Sequence, residues 1–167
     1  MRLVTVLTMM GVLFVACGQQ GTEPAQSSAK ESAEDLFTAY ERVRSQLANG
    51  EVASGESFNS VAEAARATSN VLSGAAKGHL EQLASAAESA ADRAPQELNQ
   101  AREAFGEVSR HLIALLSAEP DLTEGRHVFE CPMAKSYPKW VQASDTVSNP
   151  YMGPEMATCG VASEWQP

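Results

Sequence analysis

The C-terminal segment of this chain contains the sulfur-bearing residues that could bind a metal ion. Cys131 and Met133 lie two residues apart, and Met156 and Cys159 lie three residues apart. Thiolate and thioether groups are soft donors, which select monovalent copper and other thiophilic ions over magnesium and calcium. The pattern therefore predicts a soft-metal site with these four residues as ligands, for copper(I) first, with silver and zinc as further candidates.

Neighbouring residues extend this candidate site. His127 precedes the first cysteine and Met152 precedes the second sulfur pair, so both are optional ligands. Trp140 and Tyr151 are expected to exclude water from the site, which would protect a monovalent ion from oxidation. The stretch N-P-Y-M-G at residues 149–153 predicts a tight turn that positions the residues after it.

A disulfide between Cys131 and Cys159 is the structural alternative to metal binding. Disulfides form and persist in the oxidising compartments outside the cytoplasm. In the chain-entropy model, closing a loop of this size stabilises a small domain by roughly 3–4 kcal/mol. A reversible bridge that forms when metal is absent is compatible with both interpretations, so both stay open at this point.

Residues 1–16 predict the signal peptide of an exported lipoprotein. A short basic start precedes an apolar run at residues 3–15, which is too short to span a bilayer as a mature helix. A small residue directly before Cys17 resembles the lipobox of bacterial lipoproteins, in which the cysteine becomes the lipidated first residue. The alternative is an ordinary cleaved signal peptide with an incidental cysteine. Gly18 resembles the residue found in lipoproteins sent to the outer membrane, so we expect anchoring on its periplasmic face.

Charge and composition limit the partners and activities that are expected. The net charge of −9 disfavours nucleic acid, because binding to phosphates depends on Lys and Arg. Attachment to a membrane is expected through the N-terminal lipid, with residues 17–29 as a flexible tether rich in Gly, Gln, Ser and Thr. The sequence has no Ser/His/Asp set, no paired carboxylates with a pocket and no C-x-x-C motif, so no enzymatic activity is expected.

The pattern of apolar residues predicts that residues 30–119 form helices. Apolar residues recur at spacings of three and four, first at Leu36, Tyr40, Val43 and Leu47 and most clearly at Leu98, Ala101, Phe105, Val108, Leu112 and Leu115. We therefore predict a mostly α protein: a small antiparallel bundle of three to four helices, with an irregular segment at residues 120–167 packed on it in one domain. A short strand is expected at residues 127–130.

Local signals mark the expected helix boundaries. The pairs Ser28–Glu31 and Ser60–Glu63 have the form of a capping box at a helix start. Asn49-Gly50 and Glu119-Pro120 are expected to end helices, and Pro95 to occupy a first helical turn. His79 and His111 have no second ligand at helical spacing, so the helices are interpreted as a scaffold.

The C-terminal motif resembles a bacterial domain of unknown function. This domain occurs at the C-terminus of periplasmic adaptor subunits of copper/silver-type heavy-metal efflux systems and as stand-alone exported proteins. The resemblance covers roughly residues 33–162 and includes a helix pattern R-x-x-F-x-x-x-S-x-x-L, matched by Arg102, Phe105, Ser109 and Leu112. The matching positions of the tail are Cys131, Pro132, Met133, Trp140, Asn149, Pro150, Tyr151, Gly153, Met156, Cys159 and Gly160.

The resemblance implies a role in copper or silver homeostasis, with a heavy-metal efflux adaptor or another copper-handling protein as partner. The function expected from residues and resemblance together is binding of copper(I) for sequestration, sensing or delivery to efflux. The alternative is a structural or interaction module of an envelope complex, locked by a Cys131–Cys159 disulfide and without metal.

Overall fold

A computed structural model describes residues 23–167, which form four helices followed by a small sheet. The helices are α1 Glu23–Ala48, α2 Gly55–Ser69, α3 Ala75–Arg93 and α4 Leu98–Ala118. The strands are β1 His127–Glu130, β2 Lys139–Gln142 and β3 Val161–Ala162, with single-turn 3-10 helices at Pro120–Leu122 and Gly153–Met156. The predicted mostly α class is confirmed. The signal peptide and Cys17 lie outside the described residues.

The helices pack as a bundle in which each contacts the next along the chain and α1 also contacts α4. The connections at 49–54, 70–74 and 94–97 are too short to run back along a helix, so consecutive helices run in opposite directions. The predicted stripe of α1 and most of that of α4 are buried in one core, which alanines of α2 and α3 help to fill. Among residues 23–167, no helix combines the length and the hydropathy needed to cross a membrane.

Two of the predicted helix starts are wrong. α1 begins at Glu23, so Ser28 lies within the helix, and residues 23–29 are helical where a tether was predicted. α2 is capped by Ser54, whose hydroxyl accepts the Ser57 N–H at 3.3 Å, whereas Ser60 lies inside the helix and donates to the Glu56 carbonyl. A Ser-x-x-Glu pattern also occurs inside helices rich in good helix formers, which continue through it.

Pro95 precedes α4 and does not occupy its first turn, since the helix begins at Leu98. Ala94 ends α3 in the left-handed conformation, with φ 41°. A proline soon after a helix end stops that helix, so Pro95 marks the end of α3. The predicted ends at Asn49-Gly50 and Glu119-Pro120 are confirmed, and Gly50 has φ 80°.

The predicted strand at residues 127–130 is the centre of a three-stranded antiparallel sheet of order β2-β1-β3. Phe129 pairs with Trp140 across one edge, and Glu130 pairs with Val161 across the other. β2 and β3, which the sequence did not predict, lie in the segment that was expected to be irregular. The sheet contacts α4 through β2.

A chain of aromatic rings joins the bundle to the sheet. The Tyr40 ring of α1 lies 5.0 Å from that of Phe105 of α4, which lies 5.8 Å from Tyr151 (centroid distances). Tyr151 then lies 6.0 Å from Trp140, which lies 5.7 Å from Phe129. These contacts give the bundle and the tail one continuous hydrophobic core.

Candidate metal centre

Cys131 directly follows β1, and the sheet holds its backbone. Its N–H donates to the Pro138 carbonyl at 3.0 Å, which continues the pairing of β1 with β2. The side chain is fully buried in the core. Its position is therefore determined by strand pairing.

Cys159 follows the 3-10 helix Gly153–Met156 and lies next to Cys131. The two Sγ atoms lie 3.7 Å apart, and both cysteines are free thiols. Cys159 is half-buried, so one sulfur of the pair is partly open to solvent. The hydrogen bond with Cys131 raises the pKa of Cys159, and burial and the nearby second thiol act in the same direction.

Both methionines predicted as ligands lie on tight turns that contain a cysteine. The Ala134 N–H donates to the Cys131 carbonyl at 3.1 Å, so Met133 occupies the third position of a turn that Cys131 begins. The Cys159 N–H donates to the Met156 carbonyl at 3.0 Å, so Met156 begins the turn that Cys159 ends. Met133 is 56% exposed and Met156 is 39% exposed. Each turn thus contains one cysteine of the pair and one methionine at the surface.

Trp140, which was predicted to shield the site, packs against the residue that follows Cys159. It is fully buried, and its Nε1 donates to the Gln142 side chain at 2.9 Å. A Cβ on Gly160 would lie only 2.7 Å from Trp140 Cη2, so the glycine lets the backbone next to Cys159 lie against the indole ring.

Tyr151 is buried next to Trp140, and its hydroxyl donates to the Lys139 carbonyl at 2.8 Å. Burial raises its pKa well above the ordinary value, and electrostatic interaction with Cys131 contributes in the same direction. The two rings predicted to shield the site are therefore both buried in the core.

The predicted turn at residues 149–153 is confirmed, and Asn149 organises it. The buried Oδ1 atom accepts the N–H groups of Tyr151 at 2.8 Å and Met152 at 3.1 Å. The Nδ2 atom donates to the Cys159 carbonyl, and the Asn149 N–H donates to Ala157 at 2.8 Å. One side chain thus joins the turn to the second cysteine.

Residues that the sequence analysis did not select attach the tail to the helices. Arg44 of α1 is 6% exposed and donates to the Ser148 carbonyl at 2.7 Å. The Tyr40 hydroxyl accepts the Val141 N–H at 3.2 Å. The only local signal for Arg44 is its place four residues after Tyr40 in a buried stripe, because its partner lies 104 positions away.

Gln142 is a second such residue. It is buried, it accepts from Trp140 and from the Ser148 N–H, and its Nε2 atom donates to the carbonyls of Ser144 and Thr146. This one amide therefore orders the loop between β2 and the turn. Nothing in the sequence around it indicates the role.

Of the optional ligands, His127 is not brought to the site. It lies exposed at the start of β1, whereas Cys131 follows the end of that strand. Four residues of extended chain separate their Cα atoms by roughly 13 Å, which is too far for both side chains to bind one ion. Met152 is half-buried and lines, with Met133, a cleft of about 400 Å³ beside the site.

A metal ion elsewhere in residues 23–167 would need another cluster of side chains that could bind it. No group of three or more His, Cys, Asp or Glu side chains there is placed to hold a metal ion. Burial lowers the pKa of His111 on α4, and His79 on α3 contributes in the same direction, which places the two histidines near each other in the bundle.

Comparisons with models of protein families, with curated proteins and with solved structures find no match to this chain.

Proposed function

We propose that this protein is an exported lipoprotein that binds a soft monovalent metal, copper(I) first, through the thiolates of Cys131 and Cys159. The observation that supports this best is the 3.7 Å distance between their Sγ atoms, which are 28 residues apart in the chain. With metal–sulfur bonds of about 2.3 Å and a tetrahedral angle, two thiolates on one ion lie ~3.8 Å apart. The pair needs little movement to bind one ion.

Thioethers would complete the coordination. Because no third His, Cys, Asp or Glu accompanies the pair in the described part of the chain, further ligands would come from methionine sulfur. Met133 and Met156 are suited to this, since each shares a tight turn with one cysteine. A set of two thiolates and two thioethers favours copper(I) or silver(I), whereas structural zinc sites are built from thiolate and imidazole.

The exposure of the site supports a role in holding and passing on metal. Cys159 is half-buried and both methionines are exposed, so a partner could reach the ion without unfolding of the core. We propose that the protein, anchored by lipid at Cys17 on the periplasmic face of the outer membrane, sequesters or senses copper or delivers it to an efflux adaptor. We propose no enzymatic role and no binding of nucleic acid.

A copper(I) titration of the reduced protein against a competing chelator tests the proposal. Cys131→Ser and Cys159→Ser should each lower affinity far more than Met133→Leu or Met156→Leu, because a thioether is a neutral and weaker donor. Met152→Leu tests the optional ligand that lines the cleft with Met133, and His127→Gln should have no effect. Binding should weaken as pH falls, because the thiolates must lose their protons. Equal affinity in wild type and the Cys131→Ser/Cys159→Ser double variant would refute the site.

A disulfide-locked tail is the second candidate function, and the same 3.7 Å distance favours it. Modest side-chain rotation would bring the sulfurs to the bonding distance of about 2.05 Å. This candidate predicts that protein isolated from the periplasm is fully bridged and takes up no copper(I) after gentle reduction. It also predicts a stability loss in Cys131→Ser that no metal restores.

A further inference from the structure

The two cysteines of the pair are held by different parts of the molecule. Cys131 is held by the sheet, through the bond between its N–H and the Pro138 carbonyl. Cys159 lies outside the strands, and the only described bond to its carbonyl comes from Asn149 Nδ2. Asn149 is therefore one of the contacts that set the distance between the sulfurs, beside the pairing of β3 with β1 and the bond from the Cys159 N–H to the Met156 carbonyl.

Two arginines of the bundle hold the chain on both sides of Asn149. Arg44 of α1 donates to the Ser148 carbonyl at 2.7 Å, and Arg102 of α4 donates to the Pro150 carbonyl at 3.1 Å. Arg44 is itself oriented by an ion pair with Glu41 at 2.6 Å. Because charged donors make stronger hydrogen bonds than neutral ones, helices α1 and α4 act as a clamp on this short segment.

We propose that Asn149 is the positioning residue of the cysteine pair. Its Oδ1 atom accepts from Tyr151 and Met152, which fixes the plane of the carboxamide, and its Nδ2 atom then holds the Cys159 carbonyl. Through this path the bundle sets the effective concentration of the Cys159 thiol toward Cys131. The inference rests on the proposed function for its biological role, since the pair is the proposed metal site.

Thiol–disulfide exchange with glutathione measures this effective concentration without metal. Both protein thiols are oxidised to one disulfide, and one oxidised glutathione accepts the two electrons and two protons to give two reduced molecules. The equilibrium constant has units of concentration. The full chain is used, carrying Cys17→Ser in every variant so that only Cys131 and Cys159 exchange.

Asn149→Asp is the test variant, since it keeps the acceptor oxygen but places a second oxygen against the Cys159 carbonyl. We expect the effective concentration to fall about ten-fold, the factor for loss of one buried hydrogen bond. Asn70→Asp makes the same charge change at an exposed position. Leu83→Ala destabilises the core of the bundle from α3, and both controls should stay within three-fold of wild type.

A fall of less than three-fold in Asn149→Asp, or an equal fall in Leu83→Ala, would overturn the proposal. If Asn149→Asp does not fold, Arg102→Gln decides, because it removes the bond to the Pro150 carbonyl and leaves Asn149 unchanged. A two-fold or larger fall supports the proposal and a smaller one overturns it. The copper(I) titration is independent of this measurement. If the protein binds copper(I) but Asn149→Asp leaves the effective concentration unchanged, only the positioning role is rejected. If Asn149→Asp lowers the effective concentration but the protein binds no copper(I), only the metal site is rejected.

Discussion

Replacing Gly160 by alanine should destabilise the protein, because the structure has no room for a Cβ there. The added carbon would lie 2.7 Å from Trp140 Cη2, 3.3 Å from Val147 Cγ1 and 3.4 Å from the Glu130 carbonyl oxygen. The indole cannot easily move away, since it is fully buried and bonded through Nε1 to Gln142.

The expected magnitude follows from overpacking and chain entropy. Forcing an extra carbon into a packed core costs about 1–3 kcal/mol. Alanine also restricts the unfolded chain, which returns roughly 0.4–1 kcal/mol at a backbone conformation that alanine can adopt. We therefore expect a net loss of about 1–2 kcal/mol, which corresponds to a fall in Tm of roughly 3–6 °C for a domain of this size.

Gly78→Ala is the matched control for this prediction. Gly78 lies within α3, and a Cβ there would meet no atom within 4 Å. The same chemical change should thus stabilise the protein by roughly 0.5–1 kcal/mol. Urea unfolding of the reduced, metal-free protein, followed by circular dichroism, compares the two variants, and the two changes should have opposite signs. A Gly160→Ala protein as stable as wild type would refute the close packing of this segment on Trp140.

Three further predictions concern the contacts between bundle and tail. Tyr40→Phe leaves the buried Val141 N–H and the Ser109 hydroxyl without their shared partner. It should lower the free energy of unfolding, measured in urea, by about 1–3 kcal/mol. A loss no larger than that of a substitution at an exposed position contradicts this prediction. Burial raises the pKa of Tyr137 to about 12, so its contribution to stability is present below the ordinary value near 10 and is lost as pH rises toward 12. Tyr137→Phe should therefore gain stability relative to wild type across that interval, and parallel pH profiles would contradict this. A fragment of residues 23–119 should keep helical circular dichroism but melt at a lower temperature than the whole chain, because removing the tail uncovers buried rings of α1 and α4; an unchanged Tm contradicts the shared core.

The sequence by itself determined the features that depend on neighbouring residues. The spacing of apolar residues in α1 and α4 predicted their buried stripes, because helix periodicity is a property of each segment alone. The turn at residues 149–153 was predictable for the same reason, since Asn149 bonds to amides two and three residues ahead. The exact starts of α1 and α2 were not predictable, because a serine followed by a glutamate fits inside a helix as well as at its end.

Only the tertiary structure decided which distant residues meet. The pairing of Glu130 with Val161, the bond from Arg44 to Ser148 and the 3.7 Å approach of Cys131 to Cys159 all join residues far apart in the chain. His127 was predicted only as an optional ligand, and the extended strand β1 places it away from Cys131. The types of donor atom were thus readable from the sequence, whereas their arrangement depends on strand pairing and on the two helices that hold the tail.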